Sequence, residues 1–500
     1  MTPEPLVVGV DLSTTACKAI AWDAAGRSHG EGRAPLRLEN PEPDGWEQDA
    51  ESWGAAAAGA VSALTRALGP RARDVRALAI ANQRETVVVT DDAGRALHPA
   101  LSWMDSRCRR EVAALVDALG ADRLHAVSGK PPCTTPSIYK LAWLFGTGRI
   151  TAARRALRVL DVHAWLVHRW TGRFATSVPA ADPLGLVDLA SGTWSAALLD
   201  ALGLDDRSVP ELRPPGEVLG ELRPEVARAV GLPAGVRVVA GAGDGQAAGL
   251  GTGIEGRREA YLNLGTALVC GVACAEPRTS RAFRTLAGAT PGTFFLETDL
   301  RGGMFTLTWL AELLGGAEAA RERMVALDDA ATRVPPGAEG LLLVPYWHGV
   351  MNPYWDDAAR GAVVGLHGGH GPAHLHRAAL EGLALEQRLH LEGVDAALGE
   401  RVEELRAVGG GARSELFVRI VADVTGRRVV AAADAEASAL GAAMLAAVGV
   451  GLHPSTRAAM SAMVRLGAAV EPGAASALYD DVFARYRRVY PALAGAGLAG

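Results

Sequence analysis

The sequence predicts an α/β protein built from two similar domains that face each other across a cleft. Three observations lead there. Strand-like and helix-like segments alternate from the amino terminus to about residue 245, the pattern of a sheet layered with helices. A strand–polar turn–strand unit near the start, VVGVDLSTTACKAIAW, returns in weaker form as EAYLNLGTALVCGVAC from Glu259. The 500 residues are enough for two cores. In both copies an apolar strand ends in a polar residue, Asp11 or Asn263, followed by Leu, a small residue, Thr and a second apolar strand. The offset is close to half the chain, too long for a solenoid repeat. Duplication of a whole domain fits it, and would set both hairpins at the cleft floor. We assign the domains to residues 1–246 and 247–500.

Taken in order, Leu6 to Val10 and Cys17 to Trp22 are strands joined by the polar DLSTT turn, and Asp23 to Arg27 turns the chain again. Glu47 to Leu68 reads as a helix, because Trp53, Ala57, Val61, Leu64 and Leu68 recur at helical spacing and Gly69-Pro70 stops it. Val75 to Ala81 and Thr86 to Thr90 are strands joined through Asn82-Gln-Arg-Glu85. The second half reads as a helix at Phe305 to Leu314, a strand at Leu341 to Val344 and a long helix near His374 to Val394. A strand, glycine-rich loop and helix follow from Glu404 to Val424, then a helix at Ala435 to Val448. The tail, Ser476 to Tyr490, is helical up to Pro491 and folds back.

Composition removes several function classes. Fifty basic against 56 acidic residues give a net charge of −6, so there is no electrostatic footprint for nucleic acid or an anionic membrane. Five cysteines, an odd number without zinc-site spacing, point to reduced thiols in the cytosol. The start, MTPEPLVVGVDL, lacks a basic n-region and its apolar run stops at Asp11, so no signal peptide is expected. No run reaches about 18 uninterrupted apolar residues. A cytoplasmic protein without a membrane segment is the expectation.

Neither Lys18 nor Lys130 completes a Walker A loop. A G-x-G-x-x-G at Gly251, Gly253 and Gly256 follows a small-residue helical stretch and leads into a strand, so it reads as a loop rather than a dinucleotide site. Three phosphate-sized backbone sites remain. Ser13-Thr14-Thr15 offers consecutive N–H groups and hydroxyls suited to oxyanions, and Gly265-Thr266 is its counterpart. Gly409 to Ser414 leads from a strand into a helix, where a phosphate or flat ligand can approach bare backbone. Asp11, at a strand end, has the carboxylate that could hold Mg²⁺ through water.

These residues resemble the FGGY carbohydrate kinases, the group containing glycerol kinase and xylulokinase. VGVDLSTTACKAIAWDAAGR resembles the family's opening phosphate hairpin, and GWEQDAESW its G-W-x-E-Q-D-P-x-x-W segment, one residue shorter and without the Pro. AGAGDGQAAGLGTG is similar to the stretch bearing the catalytic Asp, and LNLGTALV to the second hairpin. PYWDDAARGAVVGL, AVGGGARSELFVRIVADVTGRRV and EASALGAAMLA resemble the interior segment, the C-terminal signature and the adenosine site. The resemblance implies two ribonuclease-H-like domains of the actin/hexokinase type, ATP and Mg²⁺ in the cleft, and phosphorylation of a sugar or polyol hydroxyl. A homodimer is a family-level expectation.

By resemblance Asp244 is the general base; without it, Asp244 reads as a turn aspartate between two glycines. Ser13, Thr14, Thr15, Gly265 and Thr266 would hold phosphate oxygens, Asp11 the metal, and Gly410, Gly411 and Ser414 the adenine and ribose. Arg413 reads equally as a stacking or a solvated residue. On the substrate side, Asn82 to Thr86 and Ser102 to Asp105 resemble glycerol kinase, which assigns Arg84, Glu85 and Trp103 to the acceptor together with Asp244 and Gln246. Arg84 would donate and Glu85 accept, reading adjacent hydroxyls. The same residues also read as an internal ion pair beside a core Trp. Xylulokinases carry Gln-Met-His-Gly there, absent from this chain. Other segments depart from glycerol kinase: Gly245-Gln246 replaces its paired Gln, and KPPCTTPSIYK its Tyr-Phe-Ser-Gly-Thr run. The pocket therefore reads as a hybrid for a three- to five-carbon polyol or ketose.

His367, His370, His374 and His376 look like a metal cluster, but their Gly-Pro interruption fits no fixed spacing, and a loop entering a helix is the simpler account. Trp347, Tyr354 and Trp355 read as a sugar platform or, for the last two, as core packing or a hinge. Two other function classes compete: an actin-like nucleotide switch, against which the polyol-type residues argue, and a degenerate kinase acting as a carbohydrate sensor.

Overall fold

The computed structural model describes residues 4–498 apart from 317, 319, 434 and 435. Thirteen strands form its two large sheets. The first contains β1 (Leu6–Leu12), β2 (Ala16–Trp22), β3 (Ser28–Pro35), β4 (Val75–Asn82), β5 (Val218–Glu221) and β6 (Arg237–Gly243), in the order β5-β6-β4-β1-β2-β3. The second contains β7 (Glu259–Leu264), β8 (Leu268–Cys274), β9 (Arg284–Ala287), β10 (Phe294–Leu300), β11 (Glu404–Val408), β12 (Arg428–Ala432) and β13 (Leu466–Val470), in the order β9-β10-β8-β7-β11-β12-β13.

The weak sequence repeat is a structural one. In the first sheet β1 pairs antiparallel with β2 and parallel with β4, which pairs parallel with β6, and β3 lies antiparallel outside β2. In the second, β7 pairs antiparallel with β8 and parallel with β11, which pairs parallel with β12, and β10 lies antiparallel outside β8. The five-strand unit therefore occurs twice. Its central strands are buried on both faces, which is why Leu6 to Leu12 reads as a continuous apolar run rather than an alternation.

Helices cover both sheets: α1 (Ala50–Leu68), α2 (Asp244–Gly251), α3 (Gly303–Leu313), α4 (Pro372–Leu398), α5 (Glu415–Thr425), α6 (Ala437–Gly449), α7 (Ser476–Tyr486) and α8 (Val489–Gly495) are the ones that matter below. Three elements differ from the sequence reading, two of them helices and one a strand. The expected helix from Glu47 starts only at Ala50, because Glu47–Gln48 pairs as a short strand with Ala100–Leu101 and the Asp49 side chain caps the helix on the N–H of Glu51. The strand expected at Thr86 to Thr90 forms as Val87–Thr90, but in a separate four-stranded sheet, so Asn82–Thr86 is a crossing between sheets. Glu85 turns that crossing with φ 52°. Ala435, the expected start of α6, lies outside the described residues. The tail is two helices, and Pro491 sits inside α8 as its third residue, where no helical N–H partner is needed.

α2 and α6 each follow the last parallel strand of one sheet and pack against the other domain. Small residues make that possible. A Cβ at Gly9 would overlap the carbonyl oxygen of Ala439, one at Gly441 that of Ala247, and one at Gly251 that of Ala437. The alanines of α6 form a core with Val7, Ala77, Ala79 and Val239 of the first sheet. The first large core lies between α1 and the first sheet, the second between α4, α5 and the second sheet.

Gly441→Ala should destabilise the fold by ~1–3 kcal/mol through overpacking. Gly146→Ala, in the helix Ser137–Gly146 with open space around its Cβ position, should be neutral or stabilising by at most ~1 kcal/mol. Urea unfolding of the two variants measures both.

Candidate active site

The carboxyl ends of three adjacent parallel strands meet at one place. Leu12 lies opposite Asn82 and Asn82 opposite Gly243, so Asp11, the Asn82–Glu85 crossing and Asp244 gather where open α/β sheets bind ligands. Asp244 is the first residue of α2, with Gly243 as its cap, rather than the middle of a glycine loop. Its Oδ1 accepts from the N–H of Gly245 at 2.8 Å and from Arg84 Nε at 2.9 Å. The side chain remains 36 % exposed toward the cleft. Burial pushes its carboxyl above the usual range, Arg84 opposes that, and the nearby Glu85 carboxylate adds to it.

Arg84 and Glu85 are not a free pair. Arg84 Nη1 donates to both oxygens of Glu297 at 2.6 and 2.8 Å. Arg284 donates to Glu85 Oε1 at 2.7 Å through Nη1 and to Glu297 Oε1 at 2.7 Å through Nη2. Tyr261 Oη closes the set on Glu297 Oε2 at 2.5 Å. Two carboxylates and two guanidiniums, one of each from either sheet's domain, are thus buried together. Arg84 and Glu85 therefore do not form an ion pair with each other beside a core Trp: each is paired with a residue about 200 positions away. Arg84 and Arg284 hold the Glu297 carboxyl at about 2, against the effect of burial. Gly245 follows from this network: a Cβ there would come within 2.8 Å of Glu297 Oε2 and Tyr261 Oη.

Trp103 is half-buried, not a core residue, and its Nε1–H donates to Thr14 Oγ1 at 2.8 Å. That bond sets Trp103 beside the first hairpin. Ser13 closes the hairpin turn through its N–H and Oγ on Ala16 O at 3.0 and 2.9 Å, and Thr15 is exposed. Gln48 was not among the sequence candidates. Its Nε2 donates to Thr14 O at 2.7 Å while its Oε1 accepts from Trp53 Nε1 and Gln83 Nε2 at 2.9 and 2.7 Å. The GWEQDAESW match held the signal: Gln48 and Trp53 brace the hairpin. Gln246 is fully buried, with Nε2 on Pro179 O at 2.9 Å and Oε1 without a hydrogen-bond partner, so it does not line the open cleft.

On the other wall, Gly265 and Thr266 form the second hairpin, backed by α3 through Met304 N to Gly265 O at 3.0 Å. Asn263 lies opposite Val408, which brings the Gly409–Gly411 loop against that hairpin. Gly409 has φ 86°, and a Cβ there would lie 2.6 Å from Asn263 Oδ1, so the close approach requires glycine. Gly410 and Arg413 are exposed. Ser414 is committed elsewhere: it caps α5 on the N–H of Phe417 at 3.2 Å and donates to Asp328 Oδ2 at 3.1 Å.

Asp11 fits a cation. Its Oδ1 is buried with no hydrogen-bond partner, and burial together with the Asp244 carboxylate pushes it up to about 7. Lys18, an opposing charge on its own hairpin, is bound to Glu436 at 2.6 Å.

The histidine cluster divides. His376 is buried with Nε2 on Asp328 Oδ1 at 2.6 Å. His367 and His370 gather with Glu339, their ligand atoms within 4.8 Å of one another. Yet the Nδ1 atoms of His367, His370 and His374 each accept a backbone N–H at 3.1 Å. That leaves the proton on Nε2, the reverse of a metal-ligating imidazole, so the histidines brace the turn entering α4. Trp355 donates to Arg281 O at 2.6 Å, and Tyr354 packs on Tyr490 of the tail at 4.7 Å.

Residues 6–251 match the family model described as the FGGY family of carbohydrate kinases, N-terminal domain, and residues 260–450 match its C-terminal domain. The chain belongs to the FGGY family of carbohydrate kinases. It is 32% identical over 472 residues to the glycerol kinase of Deinococcus radiodurans, covering 91% of each chain. It is also 32% identical over 454 residues to the xylulose kinase of Escherichia coli K12, covering 89% of this chain and 90% of that one. The crystal structure of xylulose kinase from Rhodospirillum rubrum superposes with a TM-score of 0.86 at 30% identity, over 98% of this chain and 99% of that chain. This FGGY kinase is a phosphotransferase with ATP as donor and an alcohol group as acceptor, and the switch and sensor readings are not favoured. Among the described residues, no helix is long and apolar enough to cross a membrane.

Two outcomes follow for this kinase. Glu297 is more acidic folded than unfolded, so its contribution to stability is present above its ordinary value of 4.5 and is lost as the pH falls toward 2. Glu297→Gln should therefore cost ~3–5 kcal/mol at pH 7, a difference that narrows below pH 4.5 in urea titrations. Asp11→Asn, which removes an unpartnered buried carboxylate, should raise the melting temperature of the ligand-free protein. It should also abolish the further rise expected of the parent when Mg²⁺ is added to its ADP complex.

Proposed function

We propose that this kinase transfers the γ-phosphoryl group of ATP to a hydroxyl of a three- to five-carbon polyol or ketose, with Asp244 as general base. One observation carries the reading: the Asp244 carboxylate opens to the cleft while a guanidinium fixed from both domains holds its other edge. The acceptor hydroxyl would hydrogen-bond Asp244, lose its proton there as it attacks, and pass the developing negative charge to the phosphates. Burial raises Asp244, in the direction of a stronger base than a free aspartate, while Arg84 favours its ionised form. Ser13 uses its N–H and Oγ to close the turn, so the backbone N–H groups of Thr14, Thr15, Gly265 and Thr266 would hold phosphate oxygens from opposite walls, and Gly409–Gly411 would receive the nucleoside. When bound, Mg²⁺ supplies charge neutralisation at the phosphates, and Asp11 is the residue that would hold it, through water. Closure of the two walls would exclude water, the competing acceptor. The named activities of the relatives, glycerol and xylulose kinases, bracket the acceptor size. Five buried free cysteines suit a reducing cytoplasm.

The test is ADP release with Mg-ATP against glycerol, erythritol, xylitol, D- and L-xylulose, D- and L-ribulose, and no acceptor. Acceptor-dependent turnover is expected, with kcat falling by ~10²–10⁴-fold in Asp244→Asn. ATP hydrolysis indifferent to every acceptor would move the protein to the nucleotide-switch class.

A further inference from the structure

Trp103 and Thr14 lie far apart in the chain and meet at the first hairpin. The indole Nε1–H donates to Thr14 Oγ1 at 2.8 Å, and both residues are half-buried. An indole N–H can only donate, so the sense of this bond is fixed. The Thr14 hydroxyl has one proton and two lone pairs. Trp103 takes a lone pair, and among the described residues no protein group accepts the proton.

Both partners of this bond are braced. The Thr14 carbonyl accepts from Gln48 Nε2 at 2.7 Å, and Gln48 Oε1 is in turn held by Trp53 and Gln83. The backbone N–H of Trp103 donates to Thr86 Oγ1 at 3.2 Å. Thr86 is buried and ends the crossing that carries Arg84 and Glu85. An oxygen that accepts one hydrogen bond directs its own proton away from that donor. The chain N–H to O–H to acceptor also polarises the hydroxyl into a stronger donor. A phosphate oxygen, which only accepts and carries charge, is the partner that such a hydroxyl suits.

We propose that Trp103 is a positioning residue for the nucleotide: its Nε1–H sets the Thr14 hydroxyl to donate to a phosphate oxygen. The proposal rests on the kinase reading for where the phosphates lie. It gives the indole edge a task separate from any contact that the ring face makes with the acceptor. One side chain would then link the two substrates, with its face toward one and its edge committed to the hairpin that holds the other.

The test is calorimetric binding of a non-hydrolysable ATP analogue with Mg²⁺ to the full chain, with adenosine alone as the control for the nucleoside. Trp103→Phe keeps an aromatic ring but loses the N–H. It should weaken the analogue by about 3–10-fold while adenosine stays within about twofold. Thr14→Val should weaken the analogue by about 10–100-fold, and Thr14→Ser, which keeps the hydroxyl, should stay within about threefold of the parent. Adding Trp103→Phe to Thr14→Val should cost nothing further, because the indole acts only through the hydroxyl. Should Trp103→Phe fail to fold by circular dichroism, Trp103→Leu is read with the same expectation. Three results overturn the proposal: unchanged analogue affinity in Trp103→Phe, a loss that extends equally to adenosine, or losses that add in the double variant. Failure of the parent to bind the analogue at all overturns it together with the kinase reading. A parent with acceptor-dependent ADP release, from which Trp103→Phe is indistinguishable in analogue binding, leaves the kinase reading standing and sinks this proposal alone.

Discussion

Four buried charges hold this molecule's two halves in register: Arg84 and Glu85 from the first sheet's domain, Glu297 and Arg284 from the second. Each alone would be costly to bury, and breaking one such pair leaves an uncompensated charge. Together they are mutually neutral, so either domain is compatible with burial only in the presence of the other. The consequence reaches the chemistry. Arg84 has its Nη1 committed across the cleft, which fixes the direction of its Nε toward Asp244. The Asp244 carboxylate is thereby positioned by contacts that reach back to both walls.

The same dependence of one half on the other appears in the packing. α2 and α6 follow equivalent strands of the duplicated unit and cross to the opposite domain, meeting where Gly251, Gly441 and Gly9 let backbones touch. The glycine and alanine wealth of this region has a steric role here. Asp244 stands at the head of one of these crossing helices, so the catalytic candidate is anchored at the junction and not on a mobile loop.

Local patterns in the chain carried much of this. Both hairpins, the polar strand ends Asp11 and Asn263, the glycine loop at 409–411 and the duplicated order of strands follow from apolar runs, turns and spacing that each occupy a few neighbouring residues. The charge network left no such trace. Arg284 and Glu297 sit in ordinary strand sequence, and nothing near them announces partners 199 and 213 residues away. Gln246 and Ser414 bond to other groups for a related reason. Each lies within a motif, yet the amide finds Pro179 O and the hydroxyl finds a helix cap and Asp328. A motif places the backbone; the side chain then goes to whatever unpaired group tertiary structure brings near. The displaced start of α1 is the same effect on a smaller scale, with Glu47 and Gln48 recruited by Leu101 and Ala100 of a later strand.

The central claim is that the two domains share one energetic unit at the cleft. A double-mutant cycle between Glu85→Gln and Arg284→Met, read by denaturant unfolding at pH 7, tests it most directly. These residues belong to opposite domains and meet at 2.7 Å. The account predicts a coupling of ~1–3 kcal/mol, with the double variant far less impaired than the two losses summed. Losses that add to within ~0.5 kcal/mol would contradict it, because the cleft charges would then be neighbours without being partners.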